Sequence, residues 1–325
     1  MWWRHQVGGA CGRLTTALAV AALLFVSPCW AADSLALKAV PASAATDVPL
    51  GWSASAYLYD SHLTTSSDNI FTNVHTDMTG GIAALEYRFP WLSLAVLGNF
   101  GHTYVSYLQL VPNYNSTSSG AVGVRGRAYL GPFTFTLSTS TASDKFHFVT
   151  LASDDMWDGT ERAVFGKLAA DIHVVGPVWF DPFVGARYLA LTQVAHTLGF
   201  ATIPEETRTS QLGLAGAKLE LKLRDERNNL LQPWLFGGVT HEYEDTPPMG
   251  PSVFVTEGMA GNEYTLFPPG TTGVAAVYPG RNTEVFGAGV DMDFAKVLTL
   301  NAGIYREFNS EYTSTTYKLG ADVRW

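Results

Sequence analysis

Lys318-Leu319-Gly320-Ala321-Asp322-Val323-Arg324-Trp325 is the stretch on which the fold turns. Leu319, Ala321, Val323 and Trp325 alternate with Lys318, Gly320, Asp322 and Arg324, a period of two that belongs to a strand and not to a helix. Each face is pure: one is apolar and ends in indole, the other is charged or bare. In a soluble sheet the apolar face would turn into a core. In a membrane barrel it turns out to lipid, and the charged face lines the lumen. The rest of the chain decides between the two.

The N-terminus points to export. Arg4 and Arg13 precede an apolar run from Leu14 to Val26, followed by small residues around 27–32. That is the order of a secretory signal peptide, with cleavage expected after Ala31 and a leader of 1–31. The run is too short to span a bilayer as a helix, which takes about 20 residues. Both cysteines, Cys11 and Cys29, lie in the leader, so no disulfide framework and no Cys-zinc site is expected beyond it. Without the leader, 18 of the 20 basic residues remain against 29 acidic ones, a poor balance for binding nucleic acid.

Residues 32–49 are rich in Ala and Ser, carry no period, and read as a short periplasmic lead-in; a barrel is expected over 50–325. There the chain divides into alternating segments of about ten residues, as membrane-spanning strands of 9–11 residues require. Twelve are expected: 51–60, 77–89, 92–104, 118–130, 132–142, 162–175, 178–194, 208–223, 230–244, 283–294, 296–307 and 312–325. Connections after the even strands are tight, as at Pro90-Trp91, Gly131-Pro132 and Gly176-Pro177. Those after the odd strands are mostly longer, the longest being the proline-rich 245–282. Such segregation identifies the tight side as periplasmic in an outer-membrane barrel. The expected fold is therefore all-β, a twelve-stranded antiparallel transmembrane β-barrel in the bacterial outer membrane.

Two sets of residues follow from this layout. Trp52, Trp91, Trp179, Trp234 and Trp325 all fall at periplasmic strand ends and are expected to form an aromatic girdle at the headgroups. Trp157 is expected in the long loop after the fifth strand. Parity places Arg88, Arg125, Arg127, Lys167, Asp171, Arg187, Asp291, Asp293, Asp322 and Arg324 in the lumen, either lining a channel or bracing a narrow wall with salt bridges.

The terminal octapeptide resembles the C-terminal assembly signal of outer-membrane barrels: polar Lys318, then Gly320, apolar Val323 and terminal aromatic Trp325. The second half resembles the autotransporter β-domain family. The resemblance is carried by Phe180-Asp181-Pro182-Phe183-Val184 with Arg187-Tyr188, by the strand from Gln211 to Leu223, by Pro233-Trp234 with His241-Glu242, and by the glycine-rich last three strands. It implies a twelve-stranded domain inserted by the barrel-assembly machinery and surrounded by outer-membrane lipids and lipopolysaccharide. It also implies a surface or secretion-associated role. Only 32–49 stand between the leader and the first strand, so no large passenger is expected, and the barrel is expected to be monomeric.

The competing chemistry is thin. An outer-membrane enzyme would draw on Asp154 and Asp155, or on His241 and Glu242, but no Ser, His and carboxylate fall at an interpretable spacing. His75, His102, His147 and His196 scatter near strand ends. No metal-ligand spacing and no phosphate-binding glycine loop is present in the sequence, so no catalytic residue, metal or cofactor is expected. A narrow passive channel is the main alternative, and a loop-based adhesin or an enzyme ranks below it.

Overall fold

The computed structural model describes residues 38–39, 50–65, 74–107, 113–149, 154–198, 201–227, 229–244, 282–308 and 312–325. The expected leader 1–31, most of the lead-in and the proline-rich loop 245–281 lie outside them. Twelve strands form a closed antiparallel barrel. They are β1 (Gly51–Thr65), β2 (Val74–Arg88), β3 (Leu92–Tyr107), β4 (Asn113–Leu130), β5 (Phe133–Val149), β6 (Asp154–Ala170), β7 (Val178–Gln193), β8 (Glu206–Leu221), β9 (Leu230–Glu242), β10 (Asn282–Phe294), β11 (Leu298–Phe308) and β12 (Tyr312–Arg324). Ile172–Val175 continues β6, and Leu223–Arg224 continues β8. Every strand pairs with its chain neighbour, and β12 pairs with β1 from Tyr312↔Thr65 to Arg324↔Ser53. Closure leaves no open sheet edge, which a bilayer does not tolerate.

Side-chain parity matches the sequence pattern. On β4, Val122 and Val124 are more than half exposed on the outer face, whereas Arg125 and Arg127 are buried on the inner one. On β12, Lys318, Asp322 and Arg324 are buried inside, and Tyr317, Val323 and Trp325 face out. An outer wall of Val, Leu and Phe is a cost in water and a gain in lipid. The barrel is thus turned inside out relative to a soluble sandwich.

The strands run further on the loop side than expected. β5 reaches Val149 instead of 142, and β6 begins at Asp154 instead of 162. The expected long loop after β5 shrinks to 150–153. The register continues unbroken from Leu130↔Phe133 on one hairpin to Val149↔Asp154 on the next. Above the apolar belt most outer positions become polar, Ser143, Lys145 and His147 on β5 and Asp158, Thr160 and Arg162 on β6, with Met156 an exposed apolar exception. Hydrophobic alternation stops there while the pleated backbone goes on. Trp157 is correspondingly a strand residue of β6 and lies 5 % exposed on the inner face.

The tight turns have local causes. Gly131 and Gly176 both take positive φ, which a residue without Cβ adopts freely, and each precedes a proline. The β10–β11 turn uses Ala295 (φ 53°) and Lys296 (φ 63°) instead. The Val297 amide donates to the Phe294 carbonyl at 3.1 Å, and the Lys296 amide donates to Asp293 Oδ1 at 2.8 Å. This two-residue turn matches the twist of the strands at the expense of two strained non-glycine residues.

Candidate functional site: seam, lumen and rims

The seam joins the ends of the chain's barrel. Beyond the β12–β1 ladder, the Trp52 amide donates to the Trp325 carbonyl at 3.2 Å, and the Trp325 amide donates to the Trp52 carbonyl at 3.0 Å. Gly320 stands opposite Tyr57 in register. The Tyr57 ring lies over the bare backbone of Gly320, so that a Cβ there would fall within the ring's own shell. Lys318 Nζ caps the same ring at 4.2 Å from its centroid. The same joint recurs where Trp234 of β9 covers Gly289 of β10, its register partner. Lys318 and Gly320 of the terminal octapeptide thus have a physical partner, the first strand of the barrel.

The periplasmic end is braced by three ionic links, each bridging one intervening strand. Glu86 on β2 accepts from Arg125 and, at 3.4 Å, from Arg127 on β4. Lys222, just past β8, reaches Asp171 at the end of β6 at 3.2 Å and Glu220 at 2.7 Å. Arg324 on β12 reaches Asp293 on β10 at 3.1 Å and its own strand's Asp322 at 2.8 Å. Lys218 adds links to Asp181 at 3.3 Å and Glu220 at 2.5 Å. Arg88 lies over Tyr129 at 4.1 Å, and Lys167 lies over Phe183 at 4.3 Å. Asp291 is buried on β10, and Arg187 projects from the inner parity of β7. Asp171, Asp181 and Glu220 bring carboxylate oxygens within 4.8 Å of one another, a spacing a cation could use. Lys218 and Lys222 already stand in that cluster and supply its positive charge.

Part of the inner wall above the braces is apolar. Tyr57, Met78, Phe165, Phe183, Trp234, Phe236 and Tyr305 belong to one continuous cluster of buried side chains drawn from β1, β2 and β6 through β11. Phe183 stacks on Phe236 with centroids 5.7 Å apart, and Trp234 approaches Tyr305 at 5.5 Å. Nearer the extracellular mouth, Trp157 is sandwiched between Phe146 at 5.4 Å and His196 at 4.3 Å. His196 sits on a small hairpin, His196–Leu198 with Ala201–Ile203, that follows β7.

The periplasmic girdle needs correction. Trp52, Trp91 and Trp325 are exposed on the outer wall. Trp179 and Trp234 are 4 % and 6 % exposed and point inward, Trp179 beneath Lys222 and Trp234 over Gly289. Beside Trp52 the outer girdle is extended by Tyr87 and Phe89: Trp52 meets Tyr87 edge-on at 5.0 Å, and Tyr87 meets Phe89 at 4.7 Å. At the extracellular rim, Tyr104 stacks on Tyr114 at 5.4 Å, with His147 edge-on to Tyr114. This upper aromatic group lacks tryptophan, and a search for indole alone passes over it.

The candidate catalytic residues are dispersed. His241 faces outward to Asn282 at 2.8 Å, while Glu242 faces inward and accepts from Ser210 at 2.5 Å and from the Gln211 amide at 2.8 Å. Being adjacent on a strand, the two cannot share a substrate atom. Asp154 pairs with His147 at 2.6 Å on the outer rim, and Asp155 has the opposite parity. His75 lies by Thr64, and His102 by Ser118.

Comparison with known proteins agrees with this geometry. The family model described as autotransporter beta-domain matches residues 56–305. The chain belongs to the autotransporter β-domain family. The translocator domain of autotransporter NalP from Neisseria meningitidis is 16 % identical, with 85 % of this chain and 89 % of that one covered at a TM-score of 0.60. The beta domain of the Bordetella autotransporter Brka is 13 % identical over 85 % and 100 % of the two chains, at 0.64. The transport unit of AIDA-I from Escherichia coli is 11 % identical over 87 % and 96 %, at 0.60. No curated protein matches the sequence. This autotransporter β-domain resides in the bacterial outer membrane.

Proposed function

We propose that this autotransporter β-domain works as a closed surface barrel whose wall and rims, and not a flow of solute, carry its role. The observation behind this is the apolar cluster on part of the inner wall, in which Phe183, Phe236, Trp234 and Tyr305 pack together above the charge braces. Aromatic rings that project into a narrow lumen favour its dewetting. The braces hold the wall closed beneath that cluster. The inner charges are therefore structural braces and not a selectivity lining.

The same reading takes residues 1–31 as an export leader and 32–49 as a periplasmic lead-in. It assigns insertion to the barrel-assembly machinery through Lys318, Gly320, Val323 and Trp325. The barrel is monomeric, is embedded among lipopolysaccharide and phospholipid, binds no cofactor and catalyses no reaction. Separation of His241 from Glu242 by strand parity supports the last point. Planar-bilayer recording tests the central claim. Single barrels should show no steps beyond the baseline, and Phe183→Ala with Phe236→Ala should open small ones. Steady open conductance in the unaltered protein would instead establish a narrow channel.

A further inference from the structure

The outer wall over β3 to β6 has a feature that a plain lipid-facing surface does not need. An open groove of about 470 Å³ is lined by Val96, Val122, Val124, Thr139, Thr141 and Arg162. The groove exists because side chains are missing or short along one track. Gly98 and Gly120 lie on the outer face with nothing within 4 Å of a Cβ position, and β5 offers only threonines there. Bulkier residues border it, Phe100 at 62 % and Leu137 at 52 % exposed. Its floor is apolar in effect, since the Thr141 hydroxyl donates to the Glu161 carbonyl at 3.2 Å and is satisfied within the wall.

Arg162 stands at one end of this track. Below it the outward residues of β6 and its continuation are Val164, Gly166, Leu168, Ala170, Ile172 and Val174. At about 3.3 Å per residue and a tilt near 40°, that run is roughly 27 Å tall, the height of the apolar belt of such barrels. Arg162 therefore lies at the outer-leaflet headgroup boundary, and Thr160 and Asp158 lie beyond it. Its register partners are Thr141 on β5 and Ala190 on β7. Lys145, the next outward cation on β5, faces Asp158. Among the described residues no carboxylate pairs with Arg162. A guanidinium at a lipid boundary with no carboxylate partner among the described residues, above an apolar track, is complementary to a phosphate carrying an acyl tail.

We infer that this groove binds one phosphorylated glycolipid of the outer leaflet, lipopolysaccharide, with an acyl chain along Val96, Val122 and Val124 and a phosphate on Arg162. The inference rests on the outer-membrane placement and does not depend on whether the lumen is closed.

The test uses the full barrel extracted in mild detergent. Bound lipopolysaccharide is counted per barrel by native mass spectrometry, and affinity is measured by titrating delipidated barrel with purified lipopolysaccharide. Loss of a charge-assisted pair weakens binding by about tenfold or more, so Arg162→Gln should show that drop. Gly98→Leu, whose Cβ would meet nothing within 4 Å, fills the track and should abolish retention while the barrel keeps its heat-modifiable migration. Dephosphorylated lipid A should bind the unaltered barrel as weakly as lipopolysaccharide binds Arg162→Gln. Equal retention in both variants would overturn the inference. Equal binding of phosphatidylglycerol would also overturn it, marking a general anionic-lipid surface, as would a barrel dimer abolished by Gly98→Leu. Neither variant touches the inner wall, so bilayer recording on the same preparations reports independently on lumen closure.

Discussion

Gly320→Ala isolates the seam joint between β12 and β1. The new Cβ would stand 2.6 Å from Asn301 Oδ1 and closer still to the Tyr57 ring, which cannot give way without leaving its place in the buried cluster. Overpacking of this kind costs about 1–3 kcal/mol. Displacing the ring also costs the Lys318 contact at 4.2 Å, worth about 1–2 kcal/mol for a desolvated cation over an aromatic face. Together the loss is about 3 kcal/mol, roughly a hundredfold in the folding equilibrium. Reversible urea unfolding in detergent micelles, followed by tryptophan fluorescence and heat-modifiable migration, measures it. Tyr57→Ser removes the ring, and Gly320→Ala made in that background should cost little, giving a coupling energy of about 2–3 kcal/mol. An unaltered midpoint in Gly320→Ala, or the same loss with and without Tyr57, would refute the joint.

Glu86→Gln leaves Arg125 and Arg127 facing a neutral group in a buried site, and about 3 kcal/mol should be lost in the same unfolding assay. Replacing Ala295-Lys296 with Asn-Gly relieves two positive-φ residues and should raise stability by about 1 kcal/mol or more without altering the spectrum of the folded barrel. Asp225 lies in the β8–β9 turn. Desolvation acts to raise its pKa, but bonds from Asn229 side chain and backbone and from the Arg227 amide outweigh it, so the carboxyl is held below the usual aspartate range. Its contribution to the turn is therefore present at neutral pH and lost as pH falls through the lowered value. Carboxyl NMR titration should find its midpoint below that of a free aspartate, and Asp225→Asn should remove the acid-dependent change at Asn229.

The parity of the wall was legible because lipid imposes a strict chemical demand on alternate residues. Val122 and Val124 against Arg125 and Arg127 leave one assignment open, and β12 repeats it with Val323 and Trp325 against Asp322 and Arg324. Where the demand lapses, legibility lapses with it. Above the belt, Ser143, Lys145 and His147 look like loop, although their amides remain in the ladder. Trp179 and Trp234 show a different failure. Their positions along the chain suit a girdle, but each shares parity with lumen residues, Trp179 with Asp181 and Trp234 with Gln232. Parity outranks proximity to the end of a strand. The covering of Gly320 by Tyr57 could not be read at all without register, because the two are joined only by closure of the barrel.

The charge braces bear on the order of events during insertion. Each joins strands that are not neighbours: β2 to β4, β6 to β8, β10 to β12. A lone hairpin can form the pairs within a strand or between its two neighbours, such as Lys218 with Asp181, but not the links that cross an intervening strand. Arg324 meets Asp293 only when β11 already lies between them, so a half-built sheet leaves Asp293 without the guanidinium it has in the finished one. Arrival of β12 satisfies the last brace and, in the same movement, sets Gly320 beneath Tyr57. Electrostatic completion and closure of the ring are thus one step, which makes the final strand a latch and gives a truncated chain no stable place to stop.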